Sequence, residues 1–83
     1  MTKPRERFAT NLRKARQKKE ISQEELGYMC DLHRTEISLL ERGGREPRFG
    51  TIVKLASALD TTLEQLGEGV TWLPKKRKFQ IKK

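Results

Sequence analysis

The sequence predicts an all-α fold: five helices in one compact domain, followed by a short C-terminal β extension or hairpin. Two observations predict the helices. Apolar residues recur at i, i+3 and i+4, the spacing of one face of a helix with 3.6 residues per turn. Ser22 with Glu25 and Thr62 with Gln65 read as capping boxes. In such a box the hydroxyl takes an orphan first-turn amide, and the side chain three residues on reaches back to the cap. A third observation predicts the extension: beyond Gly69 the period changes to two, with Val70 and Trp72 on one side of a first run and Phe79 and Ile81 on one side of a second. The chain divides accordingly into a helical domain over 1–68 and a basic extension over 69–83.

Helix 1 is expected over about 4–19. Pro4 suits the first turn, because the N–H it lacks would have no partner there. Phe8, Leu12, Ala15 and the stem of Arg16 form its inward face, and Ile21 closes the corner beneath it. Helix 2 starts from the Ser22 cap and runs to about Cys30, with Leu26, Met29 and Cys30 inward. Asp31 falls in a turn that needs a left-handed backbone, which Asp tolerates better than most residues. Leu32 plugs the corner.

Helix 3 runs from about His33 or Arg34 to Arg42. Ile37, Leu40 and Glu41 share its inner face, which leaves Arg34, Thr35, Ser38 and Leu39 outward. Gly43 is the expected cap at its end, where a left-handed backbone costs glycine little. Helix 4, over about 49–59, carries Ile52, Leu55, Ala56 and Leu59 as a full buried stripe. Thr62 then caps a short helix 5 ending at Leu66, and Leu63 and Leu66 complete the core. In the extension, Pro74 opens the turn between the two alternating runs. An isolated hairpin is marginal in water, so three arrangements stay open: pairing with a second subunit, docking on its own domain, or a basic tail without regular structure.

The totals narrow the function. A chain of 83 residues buries about 60–65% of the surface its unfolded form exposes, so stability is modest unless the protein dimerises. No apolar run approaches the roughly 20 residues that span a membrane, and the stretch MTKPRERF lacks the apolar core of a secretory signal. A cytoplasmic protein is expected. One Cys and one His supply neither a zinc site nor a nucleophile paired with a base, so neither an enzyme nor a cofactor is expected. The net charge of +8 is divided: residues 1–19 carry +7, residues 20–74 carry −5 and residues 75–83 carry +6. Two basic ends suit a nucleic-acid partner.

The run SQEELGYMCDLHRTEISLLERG at 22–43 resembles the helix-turn-helix of the phage-repressor (Xre/Cro-like) DNA-binding family. The matches are Ser22, Gln23, Glu24, Glu25, Leu26, Arg34, Ile37, Ser38, Glu41, Arg42 and Gly43, and the likeness continues through Pro47 and TIVKLASAL to Leu66. There are departures. Gly27 stands where the family favours Ala and Cys30 where it favours Leu, which implies slightly looser packing; Asp31 replaces a favoured Gly, and His33 a Ser or Thr cap.

The resemblance implies that helix 3 enters the major groove, where each base pair shows a distinct donor and acceptor pattern. Arg34, Thr35, Ser38 and Leu39 then become the candidate base contacts. Arg34 leads, because a guanidinium bonds guanine O6 and N7 together. Glu36 is ambiguous, since a carboxylate accepts from cytosine N4 but is repelled by phosphates. Gln23 at the start of helix 2, His33, and the loop residues Arg42, Arg45 and Arg48 are the candidate contacts to the DNA backbone. Arg16 is placed to pair with Glu41 and tie helix 1 to helix 3. Leu66, Val70, Trp72, Phe79 and Ile81 are assigned to dimer or tail packing. The implied protein is a homodimeric, sequence-specific regulator of transcription, a repressor on a pseudo-palindromic double-stranded operator. Two alternatives stand beside it: an antitoxin-type DNA-binding protein whose extension grips a partner protein, and a protein-interaction module without specific DNA binding.

Overall fold

The computed structural model describes residues 2–77 and holds five helices: α1 (Pro4–Lys18), α2 (Gln23–Cys30), α3 (Arg34–Glu41), α4 (Phe49–Ala58) and α5 (Leu63–Leu66). Most begin where a side chain serves the first turn. Pro4 opens α1, and the Lys3 amide donates to Glu6 Oε1 at 3.1 Å. The Glu25 amide donates to Ser22 Oγ at 2.9 Å and the Ser22 amide to Glu25 Oε1 at 3.2 Å. At α5, the Gln65 amide donates to Thr62 Oγ1 at 3.0 Å, and the Thr62 amide to Gln65 Oε1 at 3.2 Å. Three turns reverse direction through left-handed residues other than glycine: Glu20 (φ 58°) after α1, Asp31 (φ 57°) after α2 and Asp60 (φ 55°) after α4.

Leu12, Leu26, Ile37, Leu40, Leu55 and Leu66 are fully buried, with Phe8, Cys30, Ala56 and Leu59 completing the core. Each such leucine contributes about 1.5–3 kcal/mol relative to an exposed one. α1 packs on α3 and α5, α2 on α3 and α4, and α4 on α5. Burial pushes the Cys30 thiol above its usual pKa, partly opposed by the charge of Lys54. No helix among the described residues is long and apolar enough to cross a membrane.

The structure corrects the inward face of α2. Met29 is 49% exposed, whereas Gly27 is buried beside Leu26 and Cys30. The reason is the close approach of the following turn: a methyl on Gly27 would lie 2.6 Å from the Leu32 carbonyl oxygen. That approach rotates the buried arc away from Met29 toward Gly27, and the glycine tightens packing where looser packing was expected. Leu63 also differs, at 41% exposed. It lines an apolar groove between α1, α4 and α5 together with Phe8, Pro47, Phe49, Ile52 and Val70.

The expected β extension is not present among the described residues, which hold no strand. A strand is stable only against a hydrogen-bonding partner, and residues 71–77 run on with none, leaving Trp72 and Leu73 exposed. Phe79 and Ile81 lie outside the described residues. Leu66 belongs to the core of its own chain and Val70 packs against that core. The segment between them is fixed to α1. Asn11 Nδ2 donates to the carbonyls of Leu66 and Glu68, both at 2.8 Å, and Arg7 Nε donates to the Glu68 carbonyl at 3.0 Å.

Candidate nucleic-acid interface

The outward face of α3 is mounted from three sides. At its start, the Thr35 amide donates to His33 Nδ1 at 3.1 Å, so the histidine ring takes the capping role usual for a hydroxyl. With Nδ1 accepting, the neutral ring carries its proton on Nε2, a donor. Before it, the left-handed Asp31 and the Leu32 amide, which donates to the Gly27 carbonyl at 2.8 Å, set the turn between α2 and α3.

At the far end of α3, Glu41 is only 3% exposed. A carboxylate removed from water needs a counter-charge and hydrogen bonds. Arg16 supplies both, with Nε 2.6 Å from Oε2 and Nη2 3.0 Å from Oε1, while its Nη1 donates to the Ile21 carbonyl at 2.9 Å. The bond to Glu41 raises the Arg16 pKa further, against the opposing effect of burial. Gln23 Nε2 donates to Glu41 Oε1 at 3.2 Å, and Arg13 Nη1 donates to the Glu41 carbonyl at 3.1 Å. One residue thus joins α1, α2 and α3.

Between these fixed ends, Arg34 and Thr35 are exposed and Ser38 is half-buried. Arg34 borders an open cleft with Arg16, Ser22, Gln23 and Glu24 at the start of α2. Leu39 is half-buried, with its side chain beside Gly44. Arg42 is exposed, and its Nε donates to the Ser38 carbonyl at 3.3 Å. Arg48 is exposed at the N-cap of α4. The structure brings Arg34, Thr35, Ser38 and Arg42 onto one surface. It turns Gln23 inward onto Glu41, and it turns Arg45 onto Glu36, whose Oε1 accepts from Arg45 Nη1.

Besides the inward turn of Gln23, two further contacts at this surface were not anticipated from the sequence. The Arg45–Glu36 pair spans nine residues, and its signal was only an opposite charge on either side of the helix end. The bond from Arg13 to the Glu41 backbone carries no sequence signal, because any residue at position 41 offers the same carbonyl.

Comparison with known proteins places this geometry in context. The model of a family described as "Helix-turn-helix" matches residues 12–66. Control protein C.BamHI of Bacillus amyloliquefaciens is 45% identical over 53 residues, covering 63% of this chain and 65% of the relative. The match therefore spans a little under two thirds of that relative's length. Control protein C.SmaI of Serratia marcescens is 39% identical over 62 residues, covering 75% of this chain and 74% of the relative. Among solved structures, the restriction-modification controller protein C.AhdI from Aeromonas hydrophila superposes with a TM-score of 0.73 at 37% identity, covering 75% of this chain and 94% of that one.

Proposed function

The chain belongs to the helix-turn-helix family, and from that premise we propose that it is a sequence-specific double-stranded DNA-binding regulator of transcription, acting as a homodimeric repressor on a pseudo-palindromic operator. The observation that carries this is α3, held at both ends and presenting Arg34, Thr35 and Ser38 outward. Arg34 reads guanine. Thr35 and Ser38 offer hydroxyls to base edges, and Leu39 lies at the margin of that face. His33, Arg42 and Arg48 contact phosphates, which position the protein and make binding salt-dependent. Gln23 contributes through the α2 N-terminus rather than its side-chain amide, which Glu41 engages. C.AhdI is described as a restriction-modification controller, and control of such genes is the proposed role here.

The dimer is proposed to form through the α4–α5 side, where Phe49, Val53 and Leu63 are exposed beside the apolar groove. Two recognition helices then enter major grooves about 34 Å apart. Exposed Trp72 and Leu73 support a second reading in which the extension, taken as a separate element from 69 onward, holds a partner protein.

Selection from a random duplex pool across a salt series tests the DNA reading. The wild type is expected to enrich a two-fold symmetric site. Arg34→Ala is expected to lose about 1–3 kcal/mol of discrimination at one base while retaining most of the salt slope. If neither protein enriches any sequence, and both bind weakly with the same salt slope, the reading is overturned.

A further inference from the structure

The first turn of α3 carries an acid, Glu36, directly after Arg34 and Thr35. On a helix that approaches DNA, a free carboxylate there is repelled by every nearby phosphate. Glu36 is not free: Arg45 reaches back from the loop beyond α3 and pairs with Oε1. The arginine is half-exposed, and such pairs contribute little to stability. The consequence of the pair is electrostatic and directional. It offsets the charge of Glu36 and engages one of its oxygens, while a carboxylate retains further acceptor sites. Among the described residues Oε2 takes no hydrogen bond.

A charge-paired acceptor in the first turn of α3 selects among base edges by their chemistry. In the major groove guanine shows two acceptors, adenine sets an acceptor beside its amino group, thymine shows an acceptor and a methyl, and cytosine shows the N4 amino donor. Only cytosine offers a donor with no neighbouring acceptor on the same base to oppose a carboxylate. Resting on the reading that α3 enters the major groove, we propose that Glu36 is a base-reading residue that accepts from cytosine N4, and that Arg45 is its positioning residue rather than only a phosphate contact.

The test is selection from random duplexes with the wild type, Glu36→Gln and Arg45→Met, followed by titration of each protein against the selected site and its single-base variants. The wild type is expected to prefer cytosine at one position by about tenfold. Glu36→Gln should lose that preference or move it to adenine, whose N6 and N7 suit an amide, and leave the Arg34 position unchanged. Arg45→Met should reduce the same cytosine preference severalfold; a merely structural or phosphate role would lower affinity for every variant site alike. Enrichment of the wild-type site by Glu36→Gln with the same base at every position would overturn the proposal and leave the DNA reading standing. A wild type that enriches no site would overturn both.

Discussion

Glu41 shows how one buried carboxylate dictates its surroundings. Its oxygens draw Arg16 and Gln23, and its carbonyl draws Arg13. Removing Arg16 leaves the carboxylate buried without its counter-charge, so Arg16→Ala is expected to lower stability by about 3 kcal/mol. Arg45→Ala, which breaks an exposed pair, should cost less than about 1 kcal/mol. Urea unfolding of both variants measures the contrast, and equal losses would show that burial of Glu41 does not matter. The position of Arg16 opposite Glu41 was legible through the resemblance. The inward turn of Gln23 was not, because it depends on a buried acceptor brought close only when α3 packs over the start of α2.

The α2–turn–α3 unit was legible in its caps and its left-handed corner, since Ser22, Glu25 and Asp31 act through their immediate neighbours along the chain. Its buried arc was not. Which side of a short helix faces inward is set by the element laid against it, and here the turn crosses at Gly27. Gly27→Ala must push the Leu32 carbonyl away and is expected to destabilise by about 1–3 kcal/mol, a fall of roughly 10 °C in Tm for a domain of this size. A thermal melt decides it; an unchanged Tm would mean that the turn yields freely. The expected extension shows no strand among the described residues for a related reason: strand pairing is a non-local event, and alternation in a sequence names no partner.

Over the whole molecule, the basic ends of the sequence flank a central stretch that carries −5. Tyr28 and Met29 are exposed on α2, while exposed Phe49 and Leu63 line the groove of α4 and α5, with Val53 also exposed on α4. If that side is the dimer contact, Phe49→Asp or Leu63→Asp should give a monomer with unchanged helical circular dichroism. Sedimentation equilibrium reads the change, and variants that remain dimeric would exclude this surface. Through Arg7 and Asn11, α1 also holds the carbonyls that follow α5. The first helix and the last are thereby fastened to each other, and the folded body is nearer to a ring than to a string. A short linker across that seam would permit circular permutation, opening the chain at another loop so that the helices follow in rotated order, each still meeting its present neighbours.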